Sequence, residues 1–292
     1  MIDRLAILGV GLIGGSLALS LKQQGLVKQV VGYGRSQANL AEALALGIID
    51  EAVESASEAV RHADMVVMAV PIASMRGLLA EIQPVLSATA VLTDVGSAKS
   101  CWIEDVLSVW QGVWPENAVP AHPIAGAEKS GAAAAMADLY VGRKVVITPH
   151  EQTGAQALAK VTQMWQATGA DVRYMSAEEH DQTFAWTSHL PHLLSFALVD
   201  MFSQRQDVKR LFDYTAGGFR DFTRIAASDP TMWRDIVALN ALAIAEALAA
   251  YQQQLQTYAH LLEQQDWQGL SDAFARAKAT RDALLPTEPL RQ

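Results

Sequence analysis

The feature that most constrains this chain of 292 residues is a glycine triplet between an apolar strand and a helix. The triplet consists of Gly9, Gly11 and Gly14. It follows the apolar run at residues 5–8 and opens a helical stretch, Leu12–Gln23. The first glycine permits a tight turn, the second lets a ligand approach the backbone, and the third lets the helix pack on the strand. The pattern predicts a dinucleotide-binding unit whose helix N-terminus faces phosphates.

Further short apolar runs alternate with helical stretches through the first half, as in a parallel sheet with both faces covered. From about Ser176 onward the strand signal disappears and helical signals replace it. We therefore predict an α/β plus all-α fold, with an N-terminal Rossmann-type, mostly parallel sheet in residues 1–175 and a C-terminal all-helical domain in residues 176–292. The predicted strands are residues 5–8, 29–33, 65–70, 90–93, 119–121 and 144–147.

Two helix starts stand out in the second half. Ser176 and Glu179 have the spacing of a capping box, and the helix that they open is expected to kink at Pro191. Asp229 is a candidate helix N-cap, and Pro230 after it suits the first position of that helix. After it, apolar residues recur at alternating steps of four and three on one predicted long helix. This heptad seam packs either in a bundle within the chain or against a second copy; it consists of Val237, Ala241, Ile244, Leu248, Tyr251, Leu255, Tyr258 and Leu262.

Composition excludes several classes of function. A net charge of -9 argues against binding to nucleic acid or to an anionic membrane, because both need a field of Lys and Arg. A single cysteine, Cys101, cannot form an internal disulfide and argues against a structural zinc site, so we expect no metal. No apolar run reaches about 18 residues and the start lacks a signal-peptide pattern, so a cytoplasmic location is expected. An anionic substrate must therefore be held by a few local cations.

The end of the second predicted strand bears on the choice of cofactor. About 20 residues after the glycine triplet, NAD-binding domains carry an acidic residue that binds the ribose 2′-hydroxyl. This chain has Gly34, Arg35 and Ser36 there, and a guanidinium with a hydroxyl suits a 2′-phosphate, which favours NADP. If Arg35 instead lies on the adenine or in solvent, NAD stays usable. The predicted cofactor-binding residues are Gly9, Gly11, Leu12, Ile13, Gly14, Gly34, Arg35, Ser36, Val70 and Pro71.

Four further segments carry polar groups, three of them rich in glycine and expected in loops at the site. Each residue of interest also has a structural explanation. Ser97 could cap a helix and His122 could be a satisfied loop histidine. Arg224 could be a surface cation, and His189 with His192 could be a packing pair on one helical face. The segments are residues 93–99, 121–131, 188–192 and 217–224.

Three strings in these segments carry a family resemblance. They are His-Pro-Ile-Ala-Gly-Ala-Glu-Lys-Ser-Gly at 122–131, Asp-Phe-Thr-Arg-Ile-Ala at 221–226 with Asp229-Pro230 and Trp233 after it, and Gly-Leu-Ile-Gly-Gly-Ser at 11–16. Over nearly its whole length the chain resembles the prephenate and arogenate (cyclohexadienyl) dehydrogenases. The resemblance implies a helical domain that binds substrate and forms a homodimer. It also implies oxidative decarboxylation of prephenate to 4-hydroxyphenylpyruvate in tyrosine biosynthesis, with hydride transfer to NAD(P) and with arogenate also accepted.

The chemistry and the resemblance together assign roles to individual residues. Loss of hydride from an alcohol carbon is eased as the hydroxyl proton leaves, so a neutral imidazole is the expected base, and His122 is our choice. Ser97, the counterpart of a family serine, would bond the same hydroxyl. By the resemblance, Arg224 would clamp a substrate carboxylate and His192 would contact the substrate from the helical domain. The predicted substrate-binding residues are Arg224, His192, His189, Trp233 as one wall, and Arg220 paired with Glu128 at the cleft mouth.

The sequence departs from the family pattern at two positions. Val95 stands where relatives often carry glutamine, and Gly34 replaces the acidic residue of the NAD-using members. Three alternatives stay open. The first is an arogenate-specific dehydrogenase. The second is a β-hydroxyacid-type dehydrogenase, whose expected lysine on the first long helix is not evident, and the third is a non-catalytic NADP-binding redox sensor, which would tolerate loss of His122.

Overall fold

The computed structural model describes residues 1–126 and 129–284. The chain divides into two compact units, Met1–Ala241 and Leu242–Gln292. The first unit contains every predicted site residue that the structure describes. The boundary that we place near Met175 lies inside this unit and stays a prediction.

The main sheet has six strands, and every pairing between them is parallel. In chain order the strands are β1 (Ile2–Leu8), β2 (Val27–Tyr33), β3 (Glu51–Ala52), β4 (Met65–Met68), β5 (Val91–Asp94) and β6 (Ala118–Val119). They lie in the order β3-β2-β1-β4-β5-β6. The chain therefore winds outward in both directions from β1 and β4, and open parallel sheets bind ligands beyond the carboxyl ends of strands at such a point.

Helices cover both faces of this sheet. Alternate residues of β1 enter different cores: Leu5 packs in the core that contains Leu17, and Leu8 packs in the core that contains Trp102. This double burial explains the continuous apolar runs in the sequence and confirms the predicted α/β architecture. The helices are α1 (Leu12–Gln23), α2 (Gln37–Ala45), α3 (Ala56–Val60), α4 (Met75–Ile82), α5 (Ser100–Val109) and α6 (Ala155–Ala167).

A second sheet of three strands corrects one predicted strand. The run at 119–121 is not one strand, because it divides at Pro120 between β6 and a strand of the other sheet. A proline lacks the amide that a continuous ladder needs. The second sheet consists of β7 (Ala121–Pro123), β8 (Lys144–Ile147) and β9 (Asp171–Tyr174), with β7 antiparallel and β9 parallel to β8. Strand β7 carries His122.

The helical part begins where the sequence predicts it. The hydroxyl of Ser176 accepts a hydrogen bond of 3.0 Å from the amide of Glu179. The expected irregularity near Pro191 is a π-helical turn, Ala185–His189, directly before the helix that holds the proline in its first turn. The helices are α7 (Ala177–Phe184), α8 (Leu190–Ser203), α9 (Val208–Asp213), α10 (Gly217–Thr223) and α11 (Pro230–Leu239).

The prediction of one long helix through the heptad seam is wrong at its start. Val237 lies on α11, which ends at Leu239, and a separate helix α12 (Ala241–Glu263) follows, then α13 (Trp267–Leu284). Asn240 interrupts the helix because its backbone leaves helical geometry. Its side-chain amide instead donates a 2.8 Å hydrogen bond to the carbonyl of Asp181. The break therefore serves a tertiary contact that no periodicity reveals.

A helix needs about 20 apolar residues to span a membrane. Among residues 1–126 and 129–284, no single helix meets this requirement. The pair α11 and α12 meets it only when the two are taken together across the break at Asn240.

We predict that Gly9→Ala destabilises the ligand-free protein, by more than about 2 kcal/mol. Gly9 has a φ of 104°, and an added Cβ would lie 2.3 Å from the carbonyl oxygen of Ala69. Gly11→Ala is the control, because its Cβ would meet no atom within 4 Å. This control should cost at most about 1 kcal/mol as a helix cap. Urea denaturation measures both, and equal losses would contradict the packing argument.

Candidate active site

The predicted site residues of the nucleotide part follow three neighbouring strands of the main sheet. Gly9 follows β1, Val70 follows β4 and Ser97 follows β5, so all three lie beyond the carboxyl edge. Backbone hydrogen bonds extend the pairing into these loops, as from the amide of Ala69 to the carbonyl of Leu8 at 2.7 Å. The structure therefore brings the glycine loop and the Ser97 loop to one edge of the sheet.

The glycine loop has the shape that a dinucleotide requires. An added Cβ at Gly14 would lie 2.4 Å from the carbonyl oxygen of Gly9, so the first helix packs directly on the turn. Beside Gly11, in contrast, the space is open. No side chain caps α1 at Gly11, so the amides of its first turn, including those of Leu12 and Ile13, face outward without a capping side chain. These amides and the positive end of the helix dipole fit a pyrophosphate.

The segment after His122 holds the glycine loop in place. The side-chain amide of Asn39 donates to the carbonyl of Val10 at 2.6 Å, and its oxygen accepts from the amide of Ala132 at 2.8 Å. The hydroxyl of Tyr140 donates to the carbonyl of Ile13 at 2.6 Å. The strand that carries His122 and the nucleotide loop thus belong to one packed assembly.

The residues predicted to select the cofactor lie at the end of β2. Gly34 is half-buried and Arg35 is exposed. The hydroxyl of Ser36 accepts a 3.2 Å hydrogen bond from the amide of Asn39 and so caps α2. Arg35 therefore stays a predicted contact of the cofactor, and Ser36 has a structural role as the cap of α2.

A buried ion pair connects the Ser97 loop to His122. Asp94 and Lys99 are both fully buried, with 2.5 Å between Nζ and Oδ2. Lys99 also donates to the carbonyl of Ala121 at 2.9 Å, and Asp94 accepts from the amide of Ala121 at 3.2 Å and from that of Gly96 at 2.8 Å. Asp94 and Lys99 thus both bind the backbone of Ala121, the residue before His122.

Ser97 does not cap the helix after this loop, because that helix begins at Ser100.

His122 is the first member of a hydrogen-bonded series of three side chains. Its Nδ1 lies 2.8 Å from Nε2 of His180, and Nδ1 of His180 lies 2.8 Å from Oδ1 of Asp181. The carboxylate of Asp181 also accepts from the amides of Lys99 and Ser100, at 2.8 and 2.9 Å. His122 therefore has a hydrogen-bond partner, as a satisfied histidine would, but it lies on a strand and not in a loop.

Both imidazoles are held in the neutral form. Burial, and then the nearby charges of His180 and Lys99, lower the pKa of His122 well below its usual 6.5. Burial also lowers the pKa of His180, against the opposing effect of Asp181. For Asp181 itself, burial raises the pKa. The hydrogen bonds from His180 and from the amides have a larger, opposite effect, so the pKa of Asp181 is below its usual value. The series is therefore a carboxylate followed by two uncharged imidazoles at neutral pH.

The predicted residues of the helical part gather around one tryptophan. The ring of His192 stacks on Trp233 with 3.6 Å between centroids, and His189 meets Trp233 edge-on at 6.1 Å. Nδ1 of His189 lies 3.1 Å from the amide nitrogen of Asn240, which also binds Asp181. Helix α11 packs against residues Ile72–Ser74 of the loop after β4. Contacts therefore run continuously from His122 to the tryptophan.

The two predicted arginines, Arg220 and Arg224, also belong to the helical part of the chain. Burial lowers the pKa of His192, and the positive charge of Arg224 lowers it further, so this guanidinium lies close enough to act on the ring. Arg220 is exposed on α10. Its proposed partner Glu128 lies outside the described residues, so their ion pair stays a prediction.

Sequence reasoning missed His180 and Asp181, which support His122. It singled out the segment that contains Asp94 and Lys99 but assigned these two residues no role. One signal was available on α7, where the buried positions are Ala177, His180, Asp181 and Phe184. His180 and Asp181 stand at positions where a helix with Ala177 and Phe184 on its buried face would otherwise carry apolar residues. Polar residues at such positions indicate a buried polar contact.

Comparison with known proteins assigns the family. Residues 17–174 match the family described as prephenate dehydrogenase, nucleotide-binding domain, and residues 176–276 match that described as prephenate dehydrogenase, dimerization domain. The chain belongs to the prephenate dehydrogenase family. This finding confirms the predicted resemblance and makes the chain a dehydrogenase with a site for a nicotinamide dinucleotide.

Individual relatives cover nearly the whole chain. A cyclohexadienyl dehydrogenase of Zymomonas mobilis is 35% identical over 98% of each chain. The crystal structure of Aquifex aeolicus prephenate dehydrogenase in complex with hydroxyphenyl propionate and NAD+ is 36% identical, with a TM-score of 0.89 over 96% of this chain and 98% of that one. Synechocystis arogenate dehydrogenase is 29% identical, with a TM-score of 0.80 over 96% and 99%. The predicted fold class is confirmed.

The buried histidines predict a loss of stability in acid. Burial, and then the charge of His180, lower the pKa of His189 to about 4. Between pH 6.5 and 4 the unfolded chain binds a proton there that the folded chain does not. The free energy of unfolding should therefore decrease as the pH is lowered from 6.5 to 4, by about 3 kcal/mol from His189 alone.

Urea unfolding at several pH values between 7 and 4 measures this slope. In His189→Asn, which keeps an acceptor for Asn240, the slope should be shallower than in the unchanged protein. Equal slopes in the two proteins would show that His189 titrates normally when folded.

Proposed function

We propose that this chain catalyses the oxidative decarboxylation of prephenate to 4-hydroxyphenylpyruvate in tyrosine biosynthesis, with NADP as the preferred cofactor and NAD also used. We also propose that it accepts arogenate. The observation that carries the proposal is the uncharged imidazole of His122, connected to a carboxylate, on a strand whose following segment packs against a dinucleotide-shaped loop. The dehydrogenase relatives named above support it.

The chemistry assigns one proton to this imidazole. A nicotinamide dinucleotide held at the glycine loop of Gly9, Gly11 and Gly14 would supply the acceptor for the hydride of the carbon that bears the ring hydroxyl. His122 takes the hydroxyl proton, which turns the C–O bond toward a carbonyl and relieves the positive character left by the hydride. The ring carboxylate then departs as carbon dioxide, the electrons of the broken C–C bond make the ring aromatic, and His122 returns the proton to the oxygen. Ser97, in the adjacent loop, would bond the same hydroxyl and orient it.

The substrate is a dianion in a protein of net charge -9, so local cations must hold it. Arg224 is proposed to clamp one carboxylate, because a bidentate guanidinium supplies direction as well as charge. His192 and Trp233 form the adjoining wall. Since His189 is only 1% exposed, it acts on the substrate through Trp233. Arg220 and Glu128 are proposed to close the cleft mouth.

A homodimer through the helical domain is part of the proposal. The match to a domain described as a dimerization domain supports it. Large apolar side chains on α12 and α13 are also exposed, as residues that a second copy covers would be; they include Leu242, Leu255, Leu262 and Phe274.

A direct assay tests the activity. The purified protein is given prephenate or arogenate with NADP or NAD, and the absorbance of the reduced nicotinamide is followed. Turnover is expected, and His122→Asn should reduce it by about 100-fold or more with cofactor binding intact. Asparagine keeps a donor toward His180, so the loss would report the missing base. If none of the four combinations turns over, a non-catalytic sensor becomes the better interpretation.

Arg224→Ala is predicted to raise the apparent KM for prephenate roughly 10- to 100-fold, because a charged hydrogen-bonded clamp is lost. The control is Arg210→Ala, which removes an arginine paired with Asp207 on the surface. Steady-state kinetics on both variants make the comparison. A KM in Arg224→Ala equal to that of the control would reject the clamp.

Arg35→Ala is predicted to weaken NADP binding by roughly 10-fold or more and to leave NAD nearly unchanged, since only NADP carries the 2′-phosphate. Arg61→Ala, another exposed arginine on the same part of the chain, serves as the control. Fluorescence titration gives both dissociation constants. Equal weakening of the two cofactors would mean that Arg35 contacts a part that they share.

A further inference from the structure

The series from Asp181 to His122 determines where each proton lies. Two backbone amides, of Lys99 and Ser100, donate to the carboxylate of Asp181 and can only donate. A carboxylate with a lowered pKa is an acceptor alone, so the third contact, from Nδ1 of His180, must also be a donor.

The proton of His180 in turn determines the proton of His122. His180 is fully buried and its pKa is lowered, so it carries one proton, and that proton is on Nδ1. Its Nε2 is therefore an acceptor. The nitrogen 2.8 Å away, Nδ1 of His122, must donate to it. A neutral imidazole has one N–H, so Nε2 of His122 is left with a lone pair.

We propose that His180 and Asp181 are positioning residues that fix His122 in its Nδ1–H tautomer, with Nε2 as the acceptor of the substrate's hydroxyl proton. The proposal rests on the proposed function, in which His122 is the base. It goes further by stating which nitrogen acts and what holds it.

Packing keeps the series in one geometry. Phe184 meets the ring of His122 edge-on at 4.9 Å and lies against His180 at 4.5 Å. Asn240 donates to the backbone of Asp181 from another helix. These contacts hold the two rings, so His122 keeps its orientation toward the reacting hydroxyl.

Asp181 has a structural function as well, which decides the choice of variant. Its carboxylate binds the first amides of α5, which begins at Ser100, and so caps that helix from a distance. Replacing Asp181 would mix a loss of stability with a loss of positioning. His180 makes no such cap, so it is the residue to change. His180→Gln keeps an acceptor near the former Nε2, whereas His180→Leu removes it.

The first measurement needs no substrate. Two-bond proton–nitrogen NMR spectra of the 15N-histidine-labelled protein show which nitrogen of each ring carries the proton, and the spectrum of His122→Asn assigns the His122 signals. We expect His122 as Nδ1–H in the unchanged protein and in His180→Gln. A proton on Nε2 of His122 in the unchanged protein would overturn the proposal, whatever the activity.

The second measurement is kinetic. His180→Leu should lower kcat by about 100-fold while the KM values for substrate and cofactor change less than about 3-fold, and His180→Gln should retain most of kcat. The exposed His260→Gln is the control for histidine replacement. Equal losses of kcat in the Leu and Gln variants, or a loss that follows KM and thermal stability, would overturn the positioning role. If the unchanged protein shows no turnover, the proposed function fails, and the NMR result alone decides the tautomer.

Discussion

The buried ion pair between Asp94 and Lys99 is the interaction on which the rest of the site depends. It lies at the end of a central strand, and both charges bond to the backbone of Ala121, the residue before His122. Removing one partner of such a pair leaves an uncompensated charge in the core, at a cost of about 3–5 kcal/mol. Because β7 belongs to a different sheet, these bonds attach the strand that carries His122 to the end of β5.

The same region shows how an acidic protein can keep an uncharged base. Burial favours the neutral form of His122, and the charges of His180 and Lys99 act in the same direction. The carboxylate of Asp181 is separated from His122 by a second imidazole, so it orients the base without raising the pKa of His122 into the neutral range. Three neutral histidines in one buried network are unfavourable in acid, which couples the chemistry of the site to its stability.

Much of the fold could be predicted because it rests on local and periodic signals. The helix Leu12–Gln23 and the caps at Ser176 and Asp229 follow from spacing alone. The break at Asn240 and the strand change at Pro120 could not be predicted as such, since each depends on a partner distant in the chain. Likewise His122 could be selected from its loop, but its support by His180 arises only when β7 and α7 meet in three dimensions.

In the proposed mechanism, one substrate contacts both the imidazole of His122 and the guanidinium of Arg224 beside the nicotinamide. A crystal structure with NADP and 4-hydroxyphenylpyruvate bound tests it most directly. We expect the phenolic oxygen at about 2.6–3.2 Å from Nε2 of His122, with the product carboxylate on Arg224. A phenolic oxygen bound elsewhere, with Nε2 of His122 turned away from the ligand, would contradict it.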